Sequence, residues 1–599
     1  MFKNFKENLK RKKELNNLEA KKDLDKELVT NLNTQTNSKK APTLKQVKYL
    51  PSVIKSNQWI LIQVLIFVAI VGIVVLGFRG YYYITDEVPK VGGEYTEGLV
   101  GSPVYINPIF ALANDVDADI SKLVFSGLYK YNKNQELEAD LITNHGLSED
   151  EKTYTFYLRE DAAWHDGEPI VADDVVFTFK IIQDSDFRSP LEPSLRGAEV
   201  SKIDDYTFNV VLEEPFAPFL SSLTFGILPE HLWFEIVATN ARLAELNVKP
   251  IGSGPYKFSS LVKDKNGNIK SYQLERFEDY YGNKPYIEKV NFNFYNDVVS
   301  LVDGARNKRV SGIAFTPTDL REDLEKNKSL ESYNLRLPQY TAVFFNQNID
   351  LLEDDDVRKA LAWGFDRQGL VDSVLNGEGE IIYTPILPGY LGYNPEVEKY
   401  GYDLEMAKKI LDDADWVLLE GDEVRHKDDI ELAFTLTTVD QPEYVQAAEI
   451  LVEEWQKLNI RIELDIVEAA EMQTNIIKPR EYEALLFGEI IGTDPDPYPF
   501  WHSSQAKHPG LNLAVFFDKK VDQLLEEARK VSDEEERRLK YLHFQNILAE
   551  ELPAIFLYTP VYTYDIDKEI KGIEDQYVVV PSDRLVGLLD WYIKTDRIW

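Results

Sequence analysis

The run from Trp59 to Phe78, WILIQVLIFVAIVGIVVLGF, limits the fold of this chain more than any other stretch. It contains no charged residue and one polar one, Gln63. As a helix it spans about 30 Å, the thickness of a bilayer's hydrocarbon core. Lipid offers backbone groups no partner, so a single span has to be helical. A buried core helix is seldom apolar on every face for so long. A signal peptide has a shorter apolar stretch, nearer the start of the chain. The chain has no cysteine, which removes a thioether lipid anchor. The expectation is one transmembrane helix over 58–78.

Charge divides the chain at that helix. Residues 1–57 carry 14 Lys and Arg against 6 Asp and Glu, and the whole chain is at −36. Basic flanks stay in the cytoplasm, so the tail is expected inside and the acidic remainder outside, in a periplasm or the cell exterior. A part that acidic excludes nucleic acid, whose phosphates require Lys and Arg. The absence of cysteine excludes disulfides and thiolate chemistry. In the tail, Leu9, Leu15, Leu18, Leu24 and Leu28 hint at a helical stripe of irregular spacing, and Thr30 to Pro42 reads as disordered. Residues 79–90 read as a juxtamembrane spacer. There Tyr81 to Tyr83 form an interfacial belt, as Trp59 does on the inner side.

The rest mixes strands and helices. Tyr154, Phe156 and Leu158 alternate in a strand over Thr153–Arg159, and helical spacing follows over Ala172–Ile182. Tyr206–Leu212 and Val290–Phe294 are further strands, and Pro250 to Tyr256 is a rigid turn. Asp355–Leu370 reads as one helix. Asp403 caps another, with Met406, Ala407, Ile410 and Leu411 on its apolar face. Leu432–Thr437, Glu443–Leu458 and Ile460–Ile466 form a strand–helix–strand unit, hence some parallel sheet. Asp518–Arg529 is a helix, and Ser532 with Glu535 forms a capping box for the next. About 510 residues exceed what one hydrophobic core supports, so at least two lobes are expected.

No catalytic constellation is visible. The seven histidines form no HExxH or close ligand pair, so no metal or cofactor is expected. There is no GxSxG. Asp354-Asp355-Asp356 reads as a solvated helix cap. The richest stretch is Gly488 to Ser503, GEIIGTDPDPYPFWHS. Three prolines stiffen it, and Asp494 and Asp496 sit among Tyr498, Phe500 and Trp501. Carboxylates beside aromatics suit a polar anchor in an apolar cleft.

Several segments, in order, resemble the solute-binding proteins of peptide-type ABC importers, the oligopeptide and dipeptide receptors. They are Val91-Gly92-Gly93-Glu94 with Asn107-Pro108, YTFYLREDAAWHDGEPIVADDVVFTF (Tyr154–Phe179), PIGSGPYKF (Pro250–Phe258) and Asp279-Tyr280-Tyr281-Gly282. FFNQN (Phe344–Asn348), VRKALAWGFDR (Val357–Arg367), YDLEMAKKIL (Tyr402–Leu411) and ILAEELPAIFLY (Ile547–Tyr558) follow. The resemblance covers about Val91 to Tyr558. It departs at Gly304-Ala305-Arg306-Asn307, where relatives carry Gly-x-x-Asp.

The resemblance implies an α/β two-lobed periplasmic-binding-protein clamp of the large peptide-binding class. Lobe I would comprise 91–130, 224–338 and 558–599, with a subdomain, 131–223, inserted in it. Lobe II would be 339–557, and ligand would close the hinge between them. One wall of the cleft would be Ala111, Leu112, Ala113, Asn114 and Asp115. The other would be Ile491, Gly492, Thr493 and Asp494, with Asp496, Tyr498 and Trp501 beside them. In relatives an Asp separated by two residues from an Asp-Pro anchors the peptide's α-ammonium. Here the spacing is one shorter, which gives Asp494 that place with a gap and Thr493 without one. The implied function is a membrane-tethered monomeric receptor, not an enzyme, that passes a short peptide to an ABC permease with its ATPases. The rivals are an oligosaccharide receptor stacking sugar on Phe345, Trp363, Tyr498, Phe500 or Trp501, a ligand sensor or adhesin, and a hydrolase.

Overall fold

The computed structural model describes residues 56–598, except 134, 135, 317–319, 322, 323, 325 and 493. The expectations for the tail and for Thr493 therefore lie outside the described residues. The chain divides into two compact units. One is built on the apolar helix and the last residues from Asp596, the other on Pro89–Thr595.

In the first unit the apolar run forms a helix over Ser56–Ile84. It is longer than expected, because Arg79 to Ile84 continue the helix instead of forming a spacer. Its segment Ile60–Ile84 is long and apolar enough to cross a membrane. From Ile60 onward its large apolar side chains face outward, uncovered by protein. Its last turn leaves carbonyls without helical partners. The Arg597 guanidinium supplies donors there, to the carbonyls of Tyr82 (3.0 Å) and Thr85 (2.7 Å).

The second unit contains three main sheets. The largest has eight strands in the order Gln576–Tyr577, Leu330–Arg336, Tyr562–Asp567, Gly312–Ala314, Glu94–Val100, Lys289–Tyr295, Ile269–Arg276 and Tyr256–Lys263. Glu94–Val100 and Lys289–Tyr295 run parallel, with Val290 opposite Tyr95. A six-stranded sheet orders Gly379–Ile381, Ala554–Pro560, Gln339–Phe345, Ala484–Ile490, Ala433–Val439 and Arg461–Val467. Its last two strands are parallel and joined by the helix Pro442–Gln456, the strand–helix–strand unit expected from the apolar spacing. The third sheet is antiparallel, in the order Ile142–Leu147, Thr153–Leu158, Thr207–Val211 and Glu199–Asp204. Tyr154, Phe156 and Leu158 turn into its core, as their alternation requires.

The signature turn Trp164-His165-Asp166-Gly167 joins this third sheet to the first. His165 Nε2–H donates to the Gly254 carbonyl (3.0 Å), and its Nδ1 accepts from the Gly252 amide (3.2 Å). Burial holds this imidazole neutral, with its pKa lowered to about 4. The glycines of Pro250–Tyr256 are required by close approach: a Cβ on Gly252 would lie 2.0 Å from the Val124 carbonyl oxygen.

Three local expectations are corrected. Asp355–Leu370 is two helices, Asp355–Trp363 and Arg367–Leu375. Gly364 closes the first, and the Asp366 side chain caps the second by accepting from Gln368 N. The helix Glu534–Glu551 is capped by Asp533, not Ser532, whose hydroxyl donates to Glu151 (2.8 Å). Met406 is exposed although its helix neighbours Ala407 and Leu411 are buried.

Candidate functional site

The strand Ala484–Ile490 pairs with Gln339–Phe345, placing Ile490 opposite Gln339. Its continuation, Ile491 to Pro497, therefore emerges beside the chain crossing between the two larger sheets. The Ile491 amide is already used, donating to the Pro338 carbonyl (2.8 Å). Gly492 follows with φ +72° in open space, and turns the chain toward the helices Lys519–Lys530 and Glu534–Glu551. These helices meet near Val531–Asp533, so the last turn of one and the first turns of the other face the loop. Each offers it an arginine.

Arg537 grips Asp494 with both terminal nitrogens. Nη1 donates to Oδ2 at 2.9 Å, and Nη2 closes on Oδ1. Its Nε donates to the Tyr541 hydroxyl (3.0 Å), which fixes the guanidinium plane. Burial disfavours the Arg537 charge, but the Asp494 carboxylate outweighs it and holds the pKa above the usual guanidinium range. Asp496 accepts from Arg529 Nε (2.8 Å). Burial pushes the Asp496 carboxyl up, and Arg529 opposes the shift. The Arg529 guanidinium stacks on the Tyr498 ring, 4.0 Å from its centroid, and Tyr498 stacks on His502 at 4.1 Å.

Three cavities adjoin this loop and the crossing. The first, about 760 Å³, separates the third sheet's region from the six-stranded sheet's region. Tyr131, His145, Tyr154 and Leu220 line one side, and Pro388 to Leu391, Asp494 and Arg537 the other. Burial lowers the His145 pKa, so the imidazole is neutral at pH 7. The second, about 580 Å³, lies between Pro193–Ala198, Phe216 and Ser222 on one side and Gly492, Asp494 and Arg529 on the other. The third, about 740 Å³, lies at the crossing, lined by Phe315, Arg321, Gln339, Tyr444, Tyr558 and Tyr562 among others. Between the first two, the regions touch. Lys530 pairs with Glu214 (3.0 Å), Ser532 donates to Glu151, and Arg529 lies over the Phe216 ring at 5.2 Å.

The expected site residues divide. Asp494 lines two cavities and Gly492 one, while Asp496 and Tyr498 hold Arg529 beside them. Ile491 is half-buried against the core. Trp501 is not a cleft residue. It is 1% exposed and packs against Phe344 and Phe556, because the prolines turn the chain into a short helix, Tyr498–Trp501, whose far end enters the core. Phe345 and Phe500 are likewise buried, and Trp363 packs edge-on against Tyr400, so none of them is a sugar platform. The opposite wall differs too. Ala111–Ala113 is a single 3-10 turn, and Asn114 is spent capping Asp115–Val124, accepting from Val116 N and donating to the Ser102 carbonyl. Ala111, Leu112, Asn114 and Asp115 line none of the three cavities, and the side chain of Ala113 lies outside the described residues. Of the acidic triplet, Asp354 caps its helix and Asp355 pairs with Lys359.

Arg529, Arg537, Tyr131, His145 and Pro388–Leu391 escaped sequence reasoning. Within EEARK and EEERR the two arginines look like ordinary solvated helix charges. The only available signal was the need of two carboxylates in a proline-stiffened loop for cations from elsewhere.

A family profile described as bacterial extracellular solute-binding proteins, family 5 Middle, matches residues 136–510. The chain belongs to this family, and so to a class of extracytoplasmic solute-binding receptors rather than enzymes. Among curated relatives, the oligopeptide-binding protein AppA of Bacillus subtilis is 27% identical over 514 residues, covering 84% of this chain and 92% of its own. The dipeptide-binding protein of Escherichia coli is 27% identical over 511 residues, covering 80% and 91%. The solved structure of B. subtilis AppA in complex with a nonapeptide matches with TM-score 0.66 at 26% identity, covering 85% of this chain and all of that one. NikZ from Campylobacter jejuni, in complex with Ni(L-His), matches with TM-score 0.67 at 25% identity, covering 83% and 99%. The fold is the two-lobed α/β clamp of the periplasmic binding proteins, as the resemblance implied.

Proposed function

We propose that this chain is a membrane-tethered receptor that captures a short peptide between its lobes and delivers it to an ABC permease. The observation that carries the reading is the set of three cavities, two beside the loop Ile491–Pro497 and sharing Asp494, the other at the crossing between the two larger sheets. A cleft of that form accommodates an extended chain, and stiff loops beside it limit the entropy lost on closure. The printed names of the relatives, oligopeptide- and dipeptide-binding, favour peptide over other solutes. In this reading lobe I comprises 91–130, 224–338 and 558–599, with 131–223 inserted, and lobe II is 339–557. The hinge lies at Leu337–Ala342 and Leu557–Val561. The apolar helix crosses the cytoplasmic membrane once with the basic tail inside, and the receptor works as a monomer.

The test is a thermal-shift screen of the full-length protein in detergent. One pool holds di- to nonapeptides and another α- and β-linked oligosaccharides. A ligand at about a hundredfold its dissociation constant adds roughly 2.7 kcal/mol. A raised midpoint with peptides alone is expected. A shift with sugars alone moves the function to carbohydrate uptake, and turnover of either pool revives the hydrolase.

A further inference from the structure

We infer that Arg597 and Ile598 form a second contact with the lipid bilayer: Arg597, hydrogen-bonded to the Ile84 end of the apolar helix, holds Ile598 in the headgroup layer beside that helix's tyrosines. The inference rests on the membrane-spanning reading above. It extends that reading to a segment 512 positions from Thr85 in the chain.

The helix sets the depth. Ile60–Ile84 has 25 residues, about 37 Å of helix against about 30 Å of hydrocarbon, so its last turn stands in the interfacial layer. Tyr82 lies four residues beyond Phe78, about 6 Å past the end of the apolar run and within that layer. Tyr82 and Tyr83 are exposed there, as interfacial tyrosines are.

Arg597 is fixed at this level. Its Nη2 donates to the carbonyls of Tyr82 and Thr85, and its Nε to the Thr85 hydroxyl (3.0 Å). The Thr85 hydroxyl donates in turn to the Tyr81 carbonyl (2.6 Å), which holds the acceptor in place. The guanidinium also lies over the Tyr82 ring, 4.4 Å from its centroid. Nη1 faces Glu87 at 3.9 Å, which balances the charge, so the segment needs no anionic lipid and offers apolar area instead. Ile598 is 53% exposed, and Trp599 comes next in the sequence. A helix cap alone would use the arginine and have no need of an exposed isoleucine after it. Arginine with apolar and aromatic neighbours at headgroup level is the residue pattern of an interfacial anchor. Such anchors set the tilt of a span, so the contact gives the tether one orientation in the bilayer.

The chain has no cysteine, so a single introduced one reports alone. Whole-chain Ile598→Cys and Val71→Cys proteins, each carrying a bimane label, are reconstituted in phosphatidylcholine vesicles. The vesicles contain a nitroxide lipid, spin-labelled either at the headgroup or deep in the acyl chain. The Ile598→Cys label should be quenched at least about twofold more by the headgroup nitroxide, and the Val71→Cys label by the acyl-chain nitroxide. Arg597→Ala in the Ile598→Cys protein removes the clamp and should abolish the headgroup quenching. An Ile598→Cys label without that preference, while Val71→Cys is quenched from the acyl chain, overturns the inference and leaves the tether standing. Headgroup quenching that Arg597→Ala leaves unchanged removes Arg597 from the role and overturns the inference as stated. A Val71→Cys label that neither nitroxide quenches overturns the membrane reading and the inference with it.

Discussion

Two arginines in this protein each hold carboxylates, and they do different work. Arg584 lies in the core of the eight-stranded sheet's lobe. Its Nε and Nη2 donate to Glu97 (3.1 and 2.9 Å), and its Nη1 to Asp119 (2.8 Å). Glu97 also accepts from Tyr564 (2.8 Å), and all these groups are within 2% of complete burial. Burial alone would discharge Arg584, yet Asp119 and Glu97 hold it protonated. Arg537 makes the same bond to Asp494, but on a cavity wall. The chemistry is shared, and access decides the role. The first cluster ties Pro581–Leu589 to the strand Glu94–Val100. The second leaves its charges on the wall of a cavity.

The contrast can be broken at its buried side first. Arg584→Met strands two carboxylates and should cost about 3–5 kcal/mol in denaturant unfolding. Peptide affinity of the folded fraction should not change. If affinity fell as much as stability, the cluster would belong to the site.

A third buried acid sharpens the point. Glu489 lies one residue before the loop strand's end and accepts from Tyr340, while its other oxygen has no partner. Burial pushes this carboxyl up to about 8 from 4.5. Between those values the folded protein binds more protons than the unfolded chain. Stability should therefore fall as pH rises through that window, by at most about 1.4 kcal/mol per pH unit, and be flat outside it. Glu489→Gln should flatten the profile. Urea midpoints at pH 5 and pH 9 that move alike in variant and wild type would sink this account.

Arg537→Met, on the wetter pair, should cost less than Arg584→Met, roughly 1–3 kcal/mol, because Asp494 can draw water from the cavity. Equal costs for the two would mean that the cleft pair is as dry as the core. The smallest effect belongs to Lys530→Ala. Its exposed bond to Glu214 joins the end of the helix Lys519–Lys530 to the third sheet's region, and its loss should weaken peptide binding by less than about threefold, with no difference at high salt. A larger or salt-independent change would make that contact part of the closure mechanism.

The fold was legible wherever period and burial coincide. Tyr154, Phe156 and Leu158 announce a strand, and the spacing around Ala447, Leu451 and Trp455 a helix between two parallel strands. Local competition blurred the rest. Gly364 and Asp366 end and restart a helix within an unbroken apolar pattern, and Asp533 outcompetes Ser532 as a cap. The site was half legible. The loop Gly488–Ser503 stood out by its prolines and acids. Nothing local distinguished Asp494, on a cavity wall, from Trp501, in the core seven residues later.

By itself the sequence determined the apolar helix, the charge division, the strand–helix–strand unit and the family. Each rests on residues near one another in the chain, where backbone period or composition suffices. The tertiary structure alone decided which charges are spent. Asp494 and Arg537 are 43 positions apart and Glu97 and Arg584 are 487 apart, and a carboxylate's role follows from the cation and the water that folding brings to it.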